Sequence, residues 1–258
     1  MQRSLICDTH LHTSFSCDSQ EDMEAYCLAA VDKGLRALCF TEHIDFNVHD
    51  FGYGYYSATA FFEKFTEMKE KYSGKVELLC GLEFSEPHLH PDEFSDYCRL
   101  PYDYMLGSVH YWHNNMFVSQ MIEAGISDEI CYQTYWNEVL ATAQYGGFDC
   151  LAHIDFPKRY YKTLLYSVEI IQKICAALVQ NNICLEINTS PLRKGLTEAM
   201  PDKALLSIYQ SLGGKYVTIG SDAHTAGDLA ADYLHAKGLI AYFGFEEIYF
   251  RGRKPRLL

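Results

Sequence analysis

Seven times along this 258-residue chain, a short apolar run ends in polar residues of a restricted kind, and helical patterns fill the spaces between the runs. The runs are Leu5-Ile6-Cys7, Ala37-Leu38-Cys39-Phe40, Val76 to Leu82, Tyr104-Met105-Leu106, Cys150-Leu151-Ala152, Ile183-Cys184-Leu185 and Tyr216-Val217-Thr218-Ile219. Runs of this length, separated by longer helical patterns, read as buried parallel strands. The first helix is predicted from a Ser19 cap, with Asp22 three positions on, to Lys33, where Gly34 stops it. Further helices are predicted over Ser57 to Tyr72, Asp128 to Tyr145, Ser167 to Gln180, and Asp202 to Leu212 just after Pro201. Strand alternating with helix seven times implies an α/β fold whose parallel sheet is closed, or nearly closed, into a barrel. Neither low-complexity sequence nor a Pro/Gly-rich linker divides the chain, so residues 1–258 are expected to form a single domain.

In a parallel barrel, strand ends of one polarity meet at one rim, and active sites sit at the C-terminal rim. The residues that end the seven runs are Asp8-Thr9-His10-Leu11-His12, Thr41-Glu42-His43, Glu83, Gly107-Ser108-Val109-His110, His153-Ile154-Asp155, Glu186-Ile187-Asn188 and Gly220-Ser221-Asp222-Ala223-His224. Six of the eleven histidines lie there: His10, His12, His43, His110, His153 and His224. Any one of them alone reads as a packed core histidine. Six arriving with the same polarity beside Glu83 and Asp222 is hard to explain by packing. Neutral imidazole and carboxylate together are ligands for zinc, manganese or ferrous iron. Residues two apart in a strand share a face, so His10 and His12 can grip one ion, and Asp222 and His224 can approach the same cluster. The remaining histidines, His49, His88, His90, His113 and His235, read as loop or helix residues. His88-Leu89-His90 between Pro87 and Pro91 reads as a solvated loop, and His113 as a weaker candidate for substrate approach.

Charge and cysteine usage narrow the partners. A net charge of −13 disfavours long nucleic acid, whose phosphates need a basic track. A small anionic substrate stays compatible if metals or local cations outweigh the global field. Ten cysteines, none in a C-x-x-C pair and half of them in apolar runs, read as small core hydrophobes in a reduced compartment. The sequence shows no N-terminal targeting stretch, with Arg3, Asp8 and His10 breaking its start. It also has no apolar run near the ~20 residues of a membrane span. The expectation is a cytoplasmic enzyme with neither membrane nor nucleic-acid partner.

The segments DTHLHTSFSCDS, FTEHIDF, GLEFS, GSVHYW, LAHIDFPKRY, INTSPLRKG and GSDAH, in this order from Asp8 to His224, carry a resemblance. H-x-H by itself is a weak signal, but the ordered set is specific. The chain resembles the polymerase-and-histidinol-phosphatase (PHP) superfamily, and within it the histidinol-phosphate phosphatases. The resemblance implies a distorted seven-stranded TIM-like (β/α)7 barrel holding two to three divalent metals, zinc, manganese or iron. It implies one metal held by His10, His12, Glu83 and Asp222, and a second by His110, His153 and a bridging Glu83. A third would be held by Asp18, His43 and His224. Asp18 also reads as an ordinary loop aspartate or part of the helix cap near Ser19, and without it the third site would be weaker or empty. Asp8, Glu42 and Asp155 are expected to accept the remaining ring N–H of ligand histidines.

Arg159 and Arg193 stand where similar phosphatases carry arginines that hold the phosphate, and a guanidinium fork matches phosphate oxygens with paired hydrogen bonds. Each also reads as a solvated surface arginine. Tyr111, Trp112, Tyr160 and Tyr161 flank the same rim as candidate walls for a flat group, with Tyr111 and Trp112 taken as substrate contacts. The implied reaction is hydrolysis of a phosphate monoester, best read as L-histidinol phosphate to L-histidinol and phosphate in histidine biosynthesis. Asp222, His224, Arg159 and Arg193 are the candidate catalytic residues; Asp222, His224 and water all stay open as the group that protonates the leaving alkoxide. The rival readings are another phosphoesterase of the superfamily, acting on a small monoester, a diester or phosphotyrosine, or a metal-binding module without catalysis.

Overall fold

The computed structural model describes residues 6–258, so Leu5, the first residue of the first predicted run, and Arg3 lie outside the described residues. Each predicted run contains or adjoins a strand: β1 (Cys7–Asp8), β2 (Ala37–Ile44), β3 (Glu77–Ser85) and β4 (Tyr104–Ser108). A small antiparallel hairpin, β5 (Tyr111–Trp112) with β6 (Met116–Phe117), follows β4. Next come β7 (Cys150–Leu151), β8 (Cys184–Asn188) and β9 (Tyr216–Gly220). Two strands were not predicted, β10 (Glu246–Arg251) and β11 (Lys254–Leu257). The expected count of seven is therefore corrected: one nine-stranded sheet runs β1-β2-β3-β4-β7-β8-β9-β10-β11. Every neighbouring pair in it is parallel except β10 with β11. Ile248-Tyr249-Phe250 is an apolar run like the others, but it ends in a turn at Gly252 and not in ligand-type residues, so it lacks the feature by which the other seven stood out.

The side-chain period of two sets what the strands present. On β3, Leu78, Cys80, Leu82 and Phe84 join the large apolar cluster shared with the helices, while Leu79 joins a second, inner cluster. Glu83 and Ser85 are four and six residues beyond Leu79 and so share its face. The inner cluster contains Cys7, Ala37, Cys39, Leu79, Tyr104, Leu106, Cys150, Ala152, Cys184 and Ile248 to Phe250. Half of these twelve residues are cysteine or alanine, and beside them the chain approaches closely: a Cβ added at Gly81 would lie 2.7 Å from the Tyr104 carbonyl oxygen. Four of the ten cysteines are thus small inner-core side chains, and none of the ten is in a disulfide.

Hydrogen bonds join the segment after β1 to the segment after β9. Thr9 N–H donates to Ile219 O at 3.0 Å, Asp222 N–H to His10 O at 2.7 Å and His12 N–H to Ala223 O at 2.8 Å. These contacts bring the first and last histidine motifs together. The predicted helices are observed at Met23–Lys33, Ala58–Lys71, Asp128–Tyr145, Val168–Gln180 and Lys203–Ser211, with caps at Ser57, Ser127, Ser167 and Asp202. The first cap is corrected: Asp22, not Ser19, accepts the first-turn N–H, and Gly34 in the left-handed region ends that helix as expected. Ser19 instead donates toward the carbonyls of His12 and His224. No helix among the described residues is long and apolar enough to cross a membrane.

Candidate metal centre

Glu83 is the hub. Its Oε2 lies 3.3 Å from His10 Nε2, 3.5 Å from His12 Nε2 and 3.2 Å from His43 Nδ1. Its Oε1 lies 2.7 Å from His153 Nε2 and 3.4 Å from His110 Nε2. Asp222 Oδ1 is 3.6 Å from His12 Nε2 and 4.0 Å from His10 Nε2. At the open side, Asp18 Oδ2 lies 2.9 Å from His224 Nε2 and 3.4 Å from His43 Nε2. The structure therefore brings together all nine residues expected as ligands.

Electrostatics and spacing show what this cluster suits. Burial alone would push the Glu83 carboxyl up, but His10, His43, His110 and His153 hold it well below the usual range. Asp222 is likewise held well below its usual range, burial being outweighed by Arg159 and the histidines. The Nε2 atoms of His10 and His12 face each other at 3.0 Å, and those of His110 and His153 at 3.4 Å. Imidazole nitrogens aimed at one another and at a shared carboxylate form a converging set of lone-pair donors, which a divalent cation satisfies. Among the described residues four triads have ligand atoms within 4.8 Å of one another: His10-His12-Glu83, His43-Glu83-His110 and His12-His43-His224 in this cluster, and Cys17-Asp45-Asp50 on the cavity wall. The donor chemistry and its burial fit a divalent metal centre.

The supports behind the histidines differ from expectation. Glu186, which sequence reasoning left without a role, sets its Oε1 2.6 Å from His10 Nδ1. Asp8 accepts from Ser221 and from the backbone N–H of Ala230, Glu42 from Thr13 and Ser16, and Asp155 pairs with Lys158 at 2.6 Å. None of the three reaches a histidine ring directly; the Nδ1 partners are Glu186 for His10, Ser16 for His12, Ser85 for His110 and the Asp222 carbonyl for His224. Glycine is required at 220, since a Cβ there would lie 2.0 Å from Glu186 Oε1 and 2.5 Å from His10 Cβ.

The cluster opens into a cavity with about 290 Å³ of space for water-sized molecules. Asp18, His43, Glu83, His110, His153, Asp222 and His224 line it, with Arg159 and Lys194 as its cations. Arg159 is buried, and its Nη2 bonds Ser190 Oγ at 2.7 Å and pairs with Asp222, while its Nε has no partner among the described residues. Arg193 does not line the cavity. Its Nη2 donates to Ser221 O at 2.6 Å and its Nε is 3.5 Å from Asp228, because the short helix Ser190–Arg193 turns it behind the Ser221-Asp222 loop. The phosphate contact expected of Arg193 stays a proposal, since its Nη1 is buried with no partner among the described residues. Lys194, the next residue, lines the cavity in its place, and a second cation beside Arg193 was a signal open to sequence reading.

Tyr111 and Trp112 do not line the cavity either. Both are buried; Trp112 donates to Cys131 O at 3.3 Å and packs on Tyr135, and Tyr111 packs on Phe117. The hairpin turns Trp112 into the core, while Tyr111 is buried against Phe117 with Asp50 beside its hydroxyl; the aromatic walls are Phe51, Phe117, Phe156 and Tyr160. Tyr161 also points elsewhere, donating to Ile126 O. His88 is not in a solvated loop: its Nε2 is 2.9 Å from Glu138 Oε2 and its Nδ1 2.9 Å from Thr142 Oγ1. Neither His113 nor His235 lines the cavity.

Comparison with known proteins agrees with the site. A family model described as the PHP domain matches residues 8–190. A Thermotoga maritima protein described as a probable histidinol-phosphatase is 30% identical over 252 residues, 96% of each chain. A histidinol-phosphatase of Lactococcus lactis is 28% identical, covering 93% of this chain and 92% of its own. A crystal structure of a Lactococcus lactis histidinol phosphate phosphatase, solved with zinc, L-histidinol and phosphate, superposes with a TM-score of 0.78 at 26% identity. The match covers 97% of this chain and 98% of that one.

Proposed function

The chain belongs to the PHP domain family, and from that premise we propose that it is a metal-dependent phosphomonoesterase that hydrolyses L-histidinol phosphate to L-histidinol and phosphate in histidine biosynthesis. The observation that carries this reading is the coincidence, in one cavity, of the Glu83-centred donor cluster with a buried arginine that keeps one N–H unpartnered. Two to three divalent metals, drawn from zinc, manganese and iron, would be held as the sequence implies. His10, His12, Glu83 and Asp222 would take one; Glu83, His110 and His153 a second; Asp18, His43 and His224 a third. Such ions supply Lewis acidity to phosphoryl oxygens and lower the pKa of water.

The chain's own groups do the rest. Arg159 is the phosphate ligand, its guanidinium fork matching two phosphoryl oxygens, and Lys194 adds a second positive charge on the same cavity. Arg159 and the histidines hold the Asp222 carboxyl well below its usual range, which disfavours it as an acid; His224, on the cavity and partly exposed, would protonate the departing alkoxide only where the third ion is not bound, because as a ligand its Nε2 carries no proton. Phe117, Phe156 and Tyr160 limit water around the reacting phosphoryl group and offer faces for a flat ring. Asp45 and Asp50 on the same cavity suit a substrate that also carries an ammonium group. Arg193 acts indirectly, bracing the loop that carries Asp222.

We read the sheet, with its β1-to-β9 hydrogen bonds, as a distorted barrel, and residues 1–258 as one domain of a cytoplasmic enzyme. The test of function is phosphate release by metal-replete protein from a panel of phosphorylated metabolites. L-Histidinol phosphate should give the highest kcat/KM. A nucleotide, sugar phosphate or phosphotyrosine peptide that clearly surpasses it would replace the substrate assignment.

A further inference from the structure

We infer that Ser16 and Ser85 are positioning residues that fix the Nδ1–H tautomer of His12 and His110, each relaying a buried carboxylate to a ring nitrogen. The inference rests on the metal reading above and adds the residues that prepare two of its ligands.

Ser16 has a full set of partners. Its hydroxyl donates to Glu42 Oε2 at 2.6 Å, and its oxygen accepts the His43 backbone N–H at 3.0 Å. His12 Nδ1 lies 3.1 Å from the same oxygen. A hydroxyl carries one proton and two lone pairs. The proton is committed to Glu42 and one lone pair to His43, so the contact with His12 is formed by the imidazole N–H donating to the remaining lone pair. Glu42 also accepts from Thr13 N–H at 3.0 Å and Thr13 Oγ1 at 2.7 Å, which makes it an acceptor at both oxygens.

A second relay repeats this chemistry on the other side of Glu83. Ser85 donates to Asp45 Oδ1 at 2.6 Å, and His110 Nδ1 lies 2.9 Å from Ser85 Oγ. The Ser85 proton goes to the carboxylate, so His110 Nδ1 is the donor. Once each ring is neutral, as a metal ligand must be, Nε2 is the bare nitrogen in both cases, and in both it faces Glu83, at 3.5 Å from His12 and 3.4 Å from His110. A bare nitrogen beside an ionised carboxylate is unfavourable without a cation between them and productive with one. His10 has its Nδ1 oriented in the same way by a direct carboxylate, Glu186. The inserted serine lets Glu42 and Asp45 orient rings that they do not touch.

The test is a long-range 1H–15N correlation of the histidine side chains in full-length labelled protein, as purified and after zinc loading. His12 and His110 should show protonated Nδ1, against the Nε2–H form that free imidazole prefers. Ser16→Ala and Ser85→Ala should each remove that signature at their own histidine alone. Each should weaken zinc binding roughly ten- to a hundredfold in a chelator competition, and Ser→Thr, which keeps the hydroxyl, should recover most of it. Wild-type protein with Nε2–H at both rings overturns the inference, as do alanine variants with wild-type tautomers and wild-type zinc affinity. If Ser16→Ala fails to fold, the wild-type spectrum and the Ser85 pair decide. Protein that takes up no zinc would defeat the metal reading instead, and its tautomers would still be readable.

Discussion

The Nδ1 of His10 lies 2.6 Å from Oε1 of Glu186, with both side chains wholly buried. The other carboxylate oxygen of Glu186 accepts the His153 backbone N–H at 2.9 Å and the Asn188 amide at 3.1 Å. One glutamate in the middle of β8 thus orients one proposed ligand through its ring and another through its backbone. Glu186→Gln keeps the size but removes the charge that makes His10 a better donor. Metal affinity should fall about ten- to a hundredfold, with the fold retained by circular dichroism. Unchanged affinity by zinc titration would show that Glu186 only fills space.

Glu83 reaches five imidazoles, so its loss should be felt at every site it shares. Glu83→Gln should lower metal content measured by elemental analysis and abolish turnover on every phosphomonoester tested. Wild-type metal content together with retained turnover would exclude the bridging role.

The two arginines should separate. Arg159→Ala removes a charged hydrogen-bond donor from the cavity wall, a loss of about 1.5–3 kcal/mol. That corresponds to roughly ten- to a hundredfold in kcat/KM. Arg159→Lys should recover only part, since an ammonium lacks the paired geometry. Arg193→Ala should cost less in steady-state assays, because Arg193 meets the Ser221 carbonyl and not the cavity. An Arg193 variant more damaged than the Arg159 variant would reverse the two roles.

Metal uptake should release protons. Burial disfavours the charged forms of His10 and His43, yet Glu186 and Glu83 hold His10, and Asp18 and Glu83 hold His43, well above the usual imidazole range. A histidine with a raised pKa must give up its proton to become a ligand, so acidification opposes binding. From about pH 8 to about pH 5, across the imidazole range, zinc occupancy and activity should fall together. Calorimetry in buffers of different ionisation enthalpy should show net proton release on zinc binding. Occupancy that rises with acidity would contradict the ligand set.

The legible parts were those written in local pattern. The seven strands lay at or beside the apolar runs, and the rim histidines stood out because they follow those strands with one polarity. What escaped depended on relationships between distant segments. Glu186 is 176 residues from the ring it orients, and Ser85 is 25 from His110; no spacing rule connects either pair. Trp112 lay next to a rim histidine in sequence, but the hairpin after β4 turned it into the core. Arg193 fell to the short Ser190–Arg193 helix, which carries its guanidinium behind the Asp222 loop. β10 was missed because its end carries no chemistry, although its apolar residues complete the inner core.

The most direct test is phosphate release from L-histidinol phosphate by the purified protein before chelation, after exhaustive EDTA and dialysis, and after zinc is returned. The expected result is activity in the first state, loss in the second with metal content at background, and recovery in the third with two to three ions bound per chain. Full activity in the chelated, metal-free protein would contradict the metal centre. A metal-replete protein that releases no phosphate from this substrate would contradict the substrate.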